Sequence, residues 1–159
     1  MTAVRDTVLL VALTTVGLIA GLLSAFAYSV MPGLNRAGAQ VAVPAMQRIN
    51  VAIQNPLFGL ILFCSIVFSI LAVLLWWREP VRWWLLAGLV LYLVAVLITG
   101  LINVPLNDRL DAAGAVTPSN APTVWTDFVE PWVRWNIIRA VAAVAAFVTM
   151  IAGLLQLLR

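Results

Sequence analysis

The sequence predicts an all-α integral membrane protein, a transmembrane four-helix bundle in up-down-up-down order with a short interfacial helix between helices one and two. Three observations predict it. Four apolar stretches, about 8–30, 57–77, 83–102 and 137–158, each hold roughly 20 residues or more, enough at about 1.5 Å of rise per residue to cross a hydrocarbon layer of about 30 Å. Hydrophobic residues make up 64% of the chain and charged ones 9%, which leaves no polar faces with which soluble helices would meet water. The runs are apolar continuously rather than at alternate positions, so strands in a barrel, the other spanning solution, do not fit. All 159 residues read as one transmembrane domain.

The first stretch resembles a signal peptide in one respect, because Ala25-Phe26-Ala27 imitates a small-residue cleavage site. Its run exceeds the usual 7 to about 15 residues and Asp6 cancels Arg5, so it reads as a retained span. Gly17 and Gly21 form a G-x-x-x-G in it, a pattern that lets helix backbones approach closely and predicts a homo-oligomer contact. Pro32-Gly33 is expected to end this helix, and Pro44 to open the interfacial segment AMQRINVAIQN. There Gln47, Asn50 and Gln54 recur at helical spacing opposite an apolar stripe of Met46, Ile49 and Ile53, which suits a helix lying along the bundle mouth. Pro56, Pro80 and Pro131, behind Asn55, Glu79 and Glu130, stand where the first turns of the remaining helices are expected. The segment from Ala112 to Thr123 reads as a flexible loop, and Ala140, Ala142, Ala143, Ala145 and Ala146 make the fourth span small-sided.

With four spans, both termini share one membrane face with the short link 78–82, and the two long connections share the other. Trp76 and Trp77 before that link and Trp83 and Trp84 after it mark an interfacial belt. Arg5, Arg78, Arg82 and Arg159 lie on the face of the termini, against Arg36, Arg48, Arg109, Arg134 and Arg139 opposite. The opposite arginines are accompanied by Asp108, Asp111, Asp127 and Glu130, so the balance leans toward cytoplasmic termini. Arginine without lysine, beside abundant Ala, Val and Leu, suggests a GC-rich bacterial genome and hence a bacterial cytoplasmic membrane.

The net charge of +3 is scattered singly, so no basic stripe for nucleic acid exists, and membrane lipids are the expected surroundings. One cysteine, Cys64, forms no intrachain disulfide and reads as apolar packing. The chain has no histidine, which removes the usual haem, zinc and non-haem iron ligands, so no metal and no cofactor is expected. No phosphate loop, nucleophile elbow or paired-carboxylate cleft appears. Charges are also missing from the span interiors, against a proton relay or an ion-coupled transporter.

Three polar clusters converge on the face opposite the termini: MQRINVAIQNPLF, NVPLNDRL and WVRWNIIR. Asn103 and Asn107 are four apart around Pro105, so their amides share one face only if the turn stays helical. Trp132, Asn136 and Arg139 fall at i, i+4 and i+7, which aligns an indole, an amide and a guanidinium along one helix face. Buried without partners, an amide costs about 1–3 kcal/mol and a guanidinium more. Two arrangements answer that cost: an interhelical network in which Arg139 pairs with Asp108 or Glu130, or a pocket for a planar molecule lined by the same groups.

At these residues the chain resembles the anthrone-oxygenase-like small membrane proteins. The matching stretches are MPGLNR at 31–36, AMQRIN with the later NPLF, NVPLNDRL, and W-x-x-W-N-x-x-R from Trp132 to Arg139. The resemblance implies a four-helix membrane protein and, for relatives in fungal aromatic polyketide pathways, oxidation of an anthrone to an anthraquinone by O2 without metal or flavin. On that reading Asp108 is expected as a partly buried base, while Arg139, Asn136 and Asn107 stabilise the oxyanion. Trp132 and Trp135 are expected to stack on the rings, with Asn50, Asn103 and Gln47 completing the substrate site. The alternative is a non-catalytic protein that binds a lipid, a quinone or a partner membrane protein through the same mouth. An exporter fits less well, for want of charge within the spans.

Overall fold

The computed structural model describes residues 3–158, so Arg159, counted above on the face of the termini, lies outside it. The chain runs through α1 (Ala3–Ala37), α2 (Ala39–Ile53), α3 (Pro56–Leu75), α4 (Arg82–Ala112) and α5 (Ala121–Leu157). No strand occurs among the described residues. Helices α1, α3, α4 and α5 are long and apolar enough to cross a membrane, and they form the four-helix bundle of an integral membrane protein.

The inner faces follow from residue size. Leu9, Ala12, Leu13, Val16, Ile19, Ala20 and Leu23 recur at steps of three and four and bury one stripe of α1 against α3 and α5. Helix α5 answers with Ala140, Ala143, Ala146, Met150 and Gly153, and α4 closes the ring with Leu85, Gly88, Leu89, Tyr92 and Ala95. Large apolar side chains such as Leu60, Phe63, Leu97 and Val148 point outward instead. Lipid is as apolar as leucine, so helices associate here by close backbone approach, which small residues permit. The tightest approach is at Gly88, where an added Cβ would stand 2.5 Å from Met150 Cγ and 3.1 Å from the Ala146 carbonyl oxygen.

Gly17 and Gly21 do not form one outward seam. A Cβ on Gly17 would meet Phe147 Cε2 at 3.0 Å, so this glycine seats α5 within the chain, whereas Gly21 faces open space.

Three helices outrun the lengths expected from their apolar stretches. Helix α1 does not end at Pro32-Gly33 but runs on to Ala37, turning into α2 at Gly38, whose φ of 83° suits glycine. Helix α4 continues past Asn103 to Ala112, and α5 begins at Ala121 rather than near Pro131, which leaves a loop of only 113–120. The prolines explain both the expectation and its failure. A π-helical turn, Phe26–Val30, precedes Pro32, and a second, Thr99–Asn103, precedes Pro105. These wider turns absorb the missing N–H and the ring bulk without ending the helix. Pro44 and Pro131 lie inside α2 and α5, where the residues four back, Gln40 and Asp127, are exposed and water can take up their freed carbonyls. Pro56 does open α3, with Asn55 Oδ1 accepting from the Phe58 N–H at 3.0 Å. Pro80 instead sits in the link, two residues before α4.

The helix extensions and α2 build a second small core, of Met31, Ala42, Val43, Met46, Leu110, Trp125, Phe128 and Trp132, above the bundle core. Trp125 donates its indole N–H to Asn35 Oδ1 at 2.9 Å, which ties the MPGLNR stretch to α5. At the opposite end Arg5 pairs with Glu79 at 2.6 Å and lies 4.5 Å from the Trp76 ring centre, fixing the start of α1 to the short link. Trp76 is buried there, while Trp77, Trp83 and Trp84 are exposed as an interfacial belt would be.

Gly88→Val should lower the stability of the bundle by about 1–3 kcal/mol, because Met150 and the α5 backbone must both move. Thermal unfolding in a mild detergent, followed by far-UV circular dichroism, measures this.

Candidate functional site

A cavity of about 400 Å³ lies between the bundle core and the upper core, within the roughly 300–1,000 Å³ range of small-molecule sites. Its walls are apolar: Ile19, Leu22 and Phe26 from α1, Phe58 and Leu62 from α3, Tyr92 and Val96 from α4, and Met46 and Ile49 from α2. Asn50, Gln54, Thr99, Asn107, Asp108, Trp132 and Arg139 add the polar groups.

Arg139 sets the electrostatics. The longer α5 places it in mid-helix, where it is 7% exposed. It pairs with neither Asp108 nor Glu130, since Arg5–Glu79 is the one ion pair among the described residues. Neutral groups hold it instead. Its Nε donates to Asn136 Oδ1 at 3.0 Å, an Nη1 hydrogen to Thr99 Oγ1 at 3.3 Å, and the guanidinium lies 5.1 Å from the Trp132 ring centre. Asn136 is fixed in turn by donating from Nδ2 to the Leu23 carbonyl at 3.2 Å. Thr99 gives its own proton to the Ala95 carbonyl, so its oxygen can only accept from Arg139. The remaining guanidinium N–H groups have no protein acceptor among the described residues. A cation buried without a carboxylate partner is costly, so its placement on a cavity wall is a functional signal.

The structure thus brings Asp108, Asn107, Arg139, Trp132 and Asn50 to one cavity and leaves four of the expected site residues off its wall. Asn136 is fully buried and acts through Arg139. Asn103 donates to the Trp132 carbonyl at 3.2 Å, bracing α4 on α5. Gln47 turns away and caps the Leu110 and Gly114 carbonyls at 2.9 and 3.0 Å. Trp135 is half-buried near Arg134, off the cavity.

Three further expectations change. Trp132 lines the cavity but is enclosed by Arg139, Phe26 and Phe128, with its indole N–H on Asn107 Oδ1 at 2.7 Å. It is a buried keystone rather than an open stacking surface, and Phe26, Phe58 and Tyr92 supply the aromatic wall. Asp108 is exposed at the rim, not partly buried. Helix α2 also does not turn its polar stripe to water. Asn50 is 3% exposed beside Met46, and Gln54 has left the helix.

Sequence reasoning missed Thr99, Phe26 and Tyr92. Thr99 opens the second π-turn, and its value as an acceptor appears only once Arg139 lies opposite. Among the described residues no three His, Cys, Asp or Glu side chains gather as a metal site would need.

Residues 48–149 match the family model described as Anthrone oxygenase. The chain belongs to the anthrone oxygenase family. That match runs from within α2 through most of α5 and so takes in all five cavity-lining residues just named, Asn50, Asn107, Asp108, Trp132 and Arg139. No match is found among curated proteins or among solved structures.

Asn136→Leu should strand the Leu23 carbonyl and the Arg139 Nε together, and lower stability by about 1–3 kcal/mol for each group left unpaired. Chemical or thermal unfolding in detergent, compared with wild type, checks this.

Proposed function

We propose that this protein oxidises a hydrophobic, anthrone-like aromatic with O2, using neither metal nor flavin. The observation that carries the reading is an apolar cavity with a buried guanidinium on its wall that no carboxylate neutralises. Family membership supports the same reaction class.

The chemistry asks little of the protein. An anthrone carries an acidic CH2 opposite its carbonyl, because the carbanion delocalises into the carbonyl oxygen and the rings. In this reading Asp108 at the rim takes one of those protons, and Arg139 with the free Asn107 amide receives the negative oxygen. The enolate passes an electron to O2, and the radical pair joins as a C–O bond to give a peroxide, which is protonated. Loss of the second CH2 proton with cleavage of the O–O bond releases water and leaves the quinone carbonyl. Anthrone and O2 thus give anthraquinone and water. The exposure of Asp108 lets the proton exchange with solvent. The proposed orientation has both termini in the cytoplasm, supported by Arg78 and Arg82 in the short link, with the mouth on the other side.

Oxygen uptake by purified protein with emodin anthrone should exceed the spontaneous rate. Asp108→Asn should cut turnover by about 10²–10⁴-fold and Arg139→Met by about 10²–10³-fold, each with the helical content preserved. Uptake equal to the spontaneous rate in wild type refutes the oxygenase, and unchanged turnover in Asp108→Asn removes the base.

A further inference from the structure

We infer that the cavity holds its ligand as an anion: a flat apolar molecule with one negatively charged oxygen, an enolate, phenolate or carboxylate, set against Arg139 and Asn107. The inference rests on the reading of this cavity as the substrate site and adds the charge state that the site selects.

The inner wall gathers hydrogen-bond donors around a positive charge. Arg139 keeps N–H groups without a protein acceptor among the described residues. The Asn107 amide oxygen is taken by the Trp132 indole, which leaves its N–H groups for the cavity. The hydroxyls offer little in return. Ser65 gives its proton to the Leu62 carbonyl at 2.7 Å, so Tyr92 must donate to Ser65 across their 2.6 Å contact. Thr99 is committed to Ala95 and Arg139. Donors from α4 and α5 therefore face the space, and a full positive charge stands among them.

Water could satisfy the donors but not the charge. A guanidinium walled by hydrocarbon keeps its desolvation cost until an anion arrives, and a charge-assisted bond there is about twice as strong as a neutral one. Asp108 is the one acidic side chain on the same cavity, and at the exposed rim water screens it from the inner wall. The cavity also disfavours a ligand with a positive charge, for the same reason. For the proposed reaction this means that the site lowers the cost of forming the enolate before O2 takes part.

The test uses two fluorescent three-ring probes of the same shape that do not react with O2, anthracene-2-carboxylate and anthracene-2-carboxamide, titrated into the protein in zwitterionic nanodiscs. The carboxylate should bind about tenfold tighter or more. Arg139→Gln should erase that preference by weakening the carboxylate alone. Equal affinities in wild type, or tighter carboxamide, overturn the anion selectivity while leaving a three-ring site in place. Binding of neither probe overturns the selectivity and the substrate-site reading together. The wild-type comparison decides the matter even if a variant fails to fold.

Discussion

One uncompensated charge organises the upper half of this molecule. Arg139 is buried on α5 with an amide, a hydroxyl and an indole face around it and no carboxylate. Each neutral partner must itself be held. Asn136 reaches the Leu23 carbonyl of α1, Thr99 is anchored on α4, and Trp132 is pinned by Asn107. The guanidinium thereby links three spanning helices at one level, and the side of it that remains open is the cavity. A carboxylate in place of these groups would have made a closed ion pair, cheaper to bury and of no use to a ligand.

The two π-helical turns make that level possible. Each lies directly ahead of a proline, and each lets its helix leave the bundle without breaking, so that α1 and α4 rise into the upper core. Wider turns of this kind recur at functional sites because they re-aim side chains by a fraction of a turn. Here they set Phe26 and Thr99 on the cavity wall. Helix α2 then covers the mouth and brings Asn50 down to the same space. The lower half needs no such devices. Small residues on facing helices and the Arg5–Glu79 pair with Trp76 close it.

Membership of the anthrone oxygenase family rests on residues 48–149, which include most of the polar cluster but not α1. Helix α1 nevertheless supplies Ile19, Leu22 and Phe26 to the wall and the Leu23 carbonyl to Asn136. The chemistry-bearing groups thus come from the matched region, and the shape of the cavity depends partly on the helix outside it.

Composition and hydropathy alone specify the solvent, and with it the fold: continuous apolar runs with no polar faces leave helices in a bilayer as the only way to satisfy every backbone group. Spacing alone also places Trp132, Asn136 and Arg139 on one helix face. The helix ends were not legible, because proline marks a helix boundary only until a π-turn or an exposed carbonyl absorbs it, as at Pro32, Pro105 and Pro131. Nor was the division of labour among the polar residues. Gln47, Asn103 and Asn107 look alike as amides, and only packing decides that one caps a helix end, one braces α5, and one faces the cavity. The partner of Arg139 was likewise a tertiary matter: a charge pairs with whatever folding sets beside it, and folding set Thr99 and Asn136 there rather than Asp108.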